Sequence, residues 1–358
     1  MLTVAAFTIA LFFAMNIGAS GTAAAMGPAY GSGAIPKKRI ALLLVGIFAF
    51  LGSLAGGEVV KTIGSGIIPS DIATVEIVVI ILAAACLTLF ISNLIGIPLS
   101  TSEVVVGAIV GAGIAFQTLY IERVILIVSF WVIVPIVAFG ISYFIGKLVR
   151  MAEGKWESLT GKGKWRRPLV LLLIISGCLE AYAAGMNNVA NAVGPLVGAG
   201  LIDLETAVLV GGIFVGLGAL LLGGKVIETN GKKITRLSLL QGSAVSVTGG
   251  TLVIFASIFG FPIPLTQVTT SAIVGMGTAD NGFRLWQKSI LKQIIKVWIV
   301  SPVFSLVMSY GLILLFIKAD YYTFVVVISV FIATIGSYSL YHSTRIERRT
   351  TYDDGGGI

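Results

Sequence analysis

Stretches of about 20 consecutive, mostly apolar residues recur along this chain, and each is long enough to cross the hydrocarbon core of a bilayer as a helix. They lie near 1–27, 40–57, 73–97, 103–118, 121–146, 169–199, 205–224, 238–261, 266–279, 294–317 and 322–341. Little remains between them from which to build a water-soluble domain. Of 358 residues, 57% are hydrophobic, only 11% are charged and the mean hydropathy is +1.02, more apolar surface than one soluble core can bury. Lipid is the expected solvent. The short alternating segments of a membrane β-barrel are absent, so the backbone must satisfy itself as helices. The expected class is an all-α polytopic membrane protein.

The first stretch contains Thr22-Ala23-Ala24-Ala25, which resembles a signal-peptide cleavage site, but no basic residue precedes the apolar run and retention as a transmembrane helix is expected. The net charge of +8 reports orientation, not nucleic acid. With the N-terminus outside, the C-terminus cytoplasmic and 73–118 returning to the side it entered, 21 of the 24 Lys and Arg fall inside; only Lys61, Arg123 and Lys318 do not. This predicts the orientation of the chain in its membrane. Cys86 and Cys178 lie in apolar stretches and read as small core residues, with no disulfide or metal framework. A lone histidine, His342, offers neither a metal site nor a catalytic triad. No enzyme and no cofactor are expected.

The chain aligns with itself. Gly96 through Gly113 lies on Gly260 through Gly277 without a gap, at an offset of 164. Gly56 through Gly64 lies on Gly223 through Gly231, and Trp131, Pro135, Ser142 and Tyr143 lie on Trp298, Pro302, Ser309 and Tyr310, at an offset of 167. Each copy holds three crossings and one hairpin. That odd number requires the second copy to sit inverted relative to the first, the architecture of many secondary transporters. The expected organisation is a first repeat at 1–150, a basic cytoplasmic loop at 151–168, a second repeat at 169–320, an extra transmembrane helix at 321–342 and a cytoplasmic tail at 343–358.

Both hairpins break at a proline beside hydroxyls: Pro98-Leu99-Ser100-Thr101-Ser102-Glu103 in one, Pro262-Ile263-Pro264-Leu265-Thr266-Gln267 in the other. A helix restarting there has first-turn N–H groups without intrahelical partners, so its tip offers backbone donors, hydroxyl donors and a positive dipole end to an anion. Asn187, Asn188 and Asn191 lie in an otherwise apolar stretch, where amides need partners or a wet cavity. Their counterpart, Asn16 through Thr22, contributes Asn16 and Ser20. Substrate-binding candidates are therefore Asn16, Ser20, Ser100, Thr101, Ser102, Asn187, Asn188, Asn191 and Thr266. Carboxylates at depth are candidates for carrying a coupling proton: Glu103, Glu180, Glu58 and Glu228. Glu58 and Lys61 match Lys225 and Glu228 with signs exchanged, so ion pairs across the repeats are an equal alternative.

The stretch Gly185-Met186-Asn187-Asn188-Val189-Ala190-Asn191-Ala192-Val193-Gly194 resembles the duplicated Gly-Ala-Asn-Asp-x-Ala-Asn-x-x-Gly signature of the inorganic phosphate transporter (PiT) family. Pro-Leu-Ser-Thr-Ser at 98–102 and Glu228-Thr229-Asn230-Gly231 resemble further motifs of that family, and similarity covers essentially the whole chain. The Phe13 to Gly21 stretch resembles its sulfate permeases. The resemblance implies a symporter in the plasma membrane, assembled as a homodimer in lipid, that holds an oxyanion between the two hairpin tips and the amides of two broken helices. Asn188 stands where the family keeps an aspartate, and Glu103 and Gln267 where it keeps a histidine. A carboxylate suits phosphate, which still carries a proton near neutrality; sulfate carries none, and an amide suits it better. The expected function is proton-coupled import of sulfate or a related oxyanion such as thiosulfate, with sodium as the other possible coupling ion. Phosphate transport and a non-transporting anion sensor remain the alternatives.

Overall fold

The computed structural model describes residues 1–95, 99–161, 163–233, 237–282 and 289–333, and every described element is helical. Helix α1 (Leu2–Ile17) runs into a π-helical turn (Gly18–Thr22), followed by the short α2 (Gly27–Gly31). Helices α3 (Lys38–Ser53) and α4 (Gly57–Ser65) form a pair bent by 68°. Helices α5 (Val75–Ile95) and α6 (Thr101–Phe116) form the first hairpin, and α7 (Ile121–Lys155) closes the first half. The second half comprises α8 (Arg166–Gly198), α9 (Leu204–Leu222), α10 (Gly224–Lys233), the hairpin α11 (Leu239–Ile258) with α12 (Leu265–Asn281), and α13 (Ser289–Phe316). A further helix, α14 (Tyr321–Ala333), follows. The expected tail, His342 and Gly96 to Pro98 lie outside the described residues.

Among the described residues, five helices are long and apolar enough to cross a membrane, or six with the bent α3–α4 pair counted as one span; the helices of the first hairpin, α13 and α14 contribute shorter apolar segments. Their outer faces carry large exposed apolar side chains, among them Ile136 and Phe144 of α7, Leu171 of α8 and Phe255 of α11. Such a surface is stable only in hydrocarbon. The chain is a multi-pass membrane protein. Helix α7 continues through Lys155, past the expected repeat boundary at 150, because its apolar face extends to the buried Val149 and Arg150 bonds the carbonyls of Ala279 and Asp280 on α12.

Between apolar helices in lipid, close packing supplies much of the cohesion, and glycine permits it. A Cβ at Gly107 or Gly111 of α6 would lie 2.4 Å from the carbonyl oxygen of Pro302 or Leu306 on α13. A Cβ at Gly275 of α12 would lie 2.4 Å from that of Phe139 on α7. The outgoing arm of each hairpin thus packs on the long helix of the other half. Gly111 and Gly275 are residues paired by the self-alignment, as are Phe139 and Leu306.

The same economy holds α3 against α8. A Cβ at Gly185 would sit 1.9 Å from Ala49 O, and one at Gly52 1.9 Å from Tyr182 O. Gly185→Ala must push α3 off the helix that carries the asparagines, at a cost of about 1–3 kcal/mol. A lower denaturation midpoint of the detergent-solubilised protein is the expected result. Gly140→Ala on α7, where a Cβ meets nothing within 4 Å, should leave the midpoint unchanged or slightly raised.

Candidate oxyanion site

Three polypeptide segments converge where the two hairpin tips meet α8. Ser100 caps α6 by accepting from the Glu103 backbone N–H at 3.4 Å. The N–H groups of Thr101 and Ser102, in the first turn, have no carbonyl within the helix to reach. Both hydroxyls turn to α8. Thr101 Oγ1 donates to Asn188 Oδ1 at 3.2 Å, and Asn191 Nδ2 lies 3.2 Å from both Thr101 Oγ1 and Ser102 Oγ. Ser102 Oγ also lies within reach of Asn187 Oδ1 (3.4 Å) and of Ile263 O (3.3 Å) in the second tip.

Asn187 fastens that second tip. Its Nδ2 donates to Phe261 O at 3.0 Å and to Ser257 Oγ at 2.8 Å, while its Oδ1 accepts from the Ile263 N–H at 3.2 Å. Trp131 Nε1 donates to Pro262 O at 3.0 Å from the other side. Ser100, Thr101, Ser102 and the three asparagines are at most 5% exposed. The cluster is therefore a buried set of neutral donors at a helix N-terminus, with no cationic side chain among its members. In a low dielectric, such groups can replace the hydration of an anion. Asn191 Oδ1 is buried without a partner.

Behind the tips, residues related by the self-alignment touch. Gln267 Nε2 donates to Glu103 Oε1, and Ser301 Oγ donates to Glu103 Oε2 at 3.1 Å. This contact borders a cavity of about 760 Å³, lined by Val106, Val110, Trp131, Pro135, Trp298 and Pro302 among others. Its apolar walls do not suit an oxyanion.

The other candidates sit apart. Asn16 bonds its own helix through Phe12 O (3.0 Å), and Ser20 does so through Ile17 O (3.1 Å). Thr266 is half-buried at the start of α12, near Gly21. Glu58 pairs with Lys61 within α4, and Glu228 of α10 pairs with Lys38 of α3, each at 2.7 Å on exposed side chains. The signs exchanged between the halves serve pairs within α4 and between α3 and α10, not pairs between Glu58 and Lys225 or Lys61 and Glu228. The two helices expected to break also differ. The first does so at Ser20, with φ −97° and ψ −107°, whereas α8 runs unbroken from Arg166 to Gly198. The α8 amides spend their hydrogen bonds on the tips and leave their own helix intact. Ser257, Ser301 and the Phe261 and Ile263 backbone were not foreseen as partners, since isolated serines in apolar helices carry no distinguishing pattern. Trp131 was visible as a repeat marker but not as a tip anchor.

A model of the phosphate transporter family matches residues 17–168 and 154–309. A Bacillus subtilis protein named sulfate permease CysP is 54% identical over 99% of this chain and 99% of its own length. A Pyrococcus furiosus protein that carries a phosphate-permease name is 29% identical, over 82% of this chain and 92% of its own. A solved structure described as the sodium-dependent phosphate transporter shares the fold, with a TM-score of 0.78 at 24% identity, over 87% of this chain and 97% of that one. The relatives are carriers, not enzymes. With its family model matched in two overlapping stretches and its donor cluster at the helix tips, the chain belongs to the phosphate transporter family.

Proposed function

We propose that the chain is a secondary importer of sulfate that receives the dianion between the two hairpin tips and α8 and couples its entry to protons. The observation that carries this reading is the uncharged donor cluster of Thr101, Ser102, Asn187, Asn188 and Asn191. Sulfate is fully deprotonated near neutrality, so its oxygens only accept hydrogen bonds, and a carboxylate beside them would repel. Asn188 supplies an amide where the family signature has an aspartate. The permease name of the 54% identical relative points the same way. Entry of one dianion with one proton would still move negative charge inward, against about 2.3 kcal/mol per charge per 100 mV, so at least two protons belong to this reading.

The carrier in this reading is a homodimer in the plasma membrane, with the N-terminus outside and the C-terminus cytoplasmic, and its halves are inverted repeats. The paired glycine contacts and the Gln267–Glu103 bond support the repeat. Alternating access then consists of the tips separating from α8 on one face and closing on the other. A second reading, phosphate carriage, has one observation on its side. Asn191 Oδ1 is a bare acceptor, and hydrogen phosphate carries a proton that it could accept.

Proteoliposomes loaded with the purified chain and given radiolabelled sulfate under separate proton and sodium gradients distinguish these readings. Proton-driven sulfate uptake that survives excess phosphate and falls with thiosulfate, molybdate or selenate is expected; competition by phosphate at equal concentration would favour the second. Asn191→Ala removes a donor to a charged ligand, worth about 1.5–3 kcal/mol, and Asn187→Ala releases the second tip from α8. Uptake at low sulfate should drop roughly tenfold or more while the protein stays monodisperse in detergent. Asn188→Asp brings a negative charge to the dianion and should weaken sulfate at least as much, with phosphate or sodium dependence appearing in its place. Unaltered selectivity would contradict the role assigned to Asn188.

A further inference from the structure

If proton coupling holds, some group must carry the proton, and the two buried carboxyls near the tips are not alike. Glu103 has a donor on each oxygen, Gln267 on one and Ser301 on the other, so neither oxygen is left bare. Glu180 of α8 is not. Its Oε1 accepts from Thr269 Oγ1 of α12 at 2.6 Å, while Oε2 is buried without a partner, in a residue only 1% exposed. Ser246 of α11, fully buried, turns its hydroxyl to the carboxyl, though neither its Oγ nor Oε2 completes a hydrogen bond of ordinary geometry. Gly249 and Gly250 of α11 close the remaining space. A Cβ on Gly250 would stand 3.2 Å from Glu180 Cα, and one on Gly249 would stand 3.7 Å from Oε1.

A bare carboxylate oxygen sealed among helices is costly. A metal cation would need more oxygens than the two carboxyl oxygens and two hydroxyls present, since the carbonyls of α8, α11 and α12 are engaged along their helices. A proton needs only one acceptor. We propose that Glu180 is the proton-carrying residue of coupled transport: the proton binds Oε2, the resulting O–H donates to Ser246 Oγ, and Thr269 continues to donate to Oε1. Three charged sites on the surrounding helices have partners of their own. Asp280 of α12 accepts from Gln241, Glu58 and Lys61 of α4 hold each other, and Glu103 of α6 is bonded to Gln267.

The position links proton to anion. Glu180 and Asn187 ride the same unbroken helix, seven residues and so about 10 Å apart. Thr269 is one turn from Thr266 on the helix whose tip Asn187 fastens. An ionised Glu180 repels a dianion at that range in a dry interior, and a protonated one does not. Sulfate binding therefore draws a proton onto Glu180, and uptake falls as the pH rises.

This inference rests on the proton-coupled reading, and its test separates the two. In proteoliposomes, Glu180→Gln should lose proton-gradient-driven sulfate accumulation by tenfold or more. It should retain exchange of internal for external sulfate, and that exchange should no longer respond to pH. Accumulation by Glu180→Gln with the wild-type pH profile would overturn the assignment and leave proton coupling standing. A wild-type chain driven by sodium alone would overturn both. Ser246→Ala guards against a Glu180→Gln protein that does not fold. Loss of the proton's acceptor should move the pH profile of uptake to lower pH by about half a unit to one unit. An unmoved profile there would count against Glu180 as the carrier.

Discussion

A polar group in the middle of a bilayer must find its partner in the protein, because lipid offers none. The first-turn N–H groups of α6 and the backbone of the second tip at Phe261 and Ile263 lie in that setting. The asparagines of α8 meet the debt. Asn187 binds a carbonyl and an N–H of the second tip, Asn188 receives the Thr101 hydroxyl of the first, and Asn191 reaches two hydroxyls there. The groups that satisfy the tips are the same groups that can receive an anion. Closure without ligand and binding of ligand therefore use interchangeable hydrogen bonds, a condition for a carrier that must both hold and release its cargo.

Glycine lets these segments converge. Helix α8 can present three amides to the tips only because Gly185 seats it against Ala49 of α3, and the hairpin arms stay in place because Gly107, Gly111 and Gly275 admit the backbone of the long helices α13 and α7. The arms are exchanged between the halves, so a shift of one tip bears on the long helix of the other half. Neutral donors then decide the charge state of the ligand. With amides and hydroxyls at its centre and Glu103 held behind the tips by Gln267 and Ser301, the cluster has no negative group directly against the oxyanion.

Much of this was legible in the residues. Proline followed by hydroxyls located both tips, and three asparagines in an apolar run located the helix that faces them. Apolar length and the absence of alternating segments identified the fold class. Other features depend on where a side chain spends its hydrogen bond, which spacing does not reveal. The α8 amides resemble helix breakers in sequence, yet they bond outward and α8 stays intact. Ser20 bonds back to Ile17 O of its own helix, and there the chain departs from helical geometry. Glu58 and Glu228 sit in stretches that read as deep, but the bend after α3 and the shortness of α10 bring them to exposed faces with cationic partners. Glu180 stood out only as a carboxyl in apolar surroundings; its bare oxygen and the facing Ser246 required three dimensions.

The account's central claim is the location of the anion, and selenate, which shares sulfate's shape and charge, can mark it. Crystals of the full chain grown with selenate and measured at the selenium edge should give an anomalous peak among Thr101, Ser102 and Asn191, within hydrogen-bonding distance of the α6 N-terminus. A peak only in the apolar cavity beside Trp131 and Trp298, or only at the exposed basic loops, would contradict it.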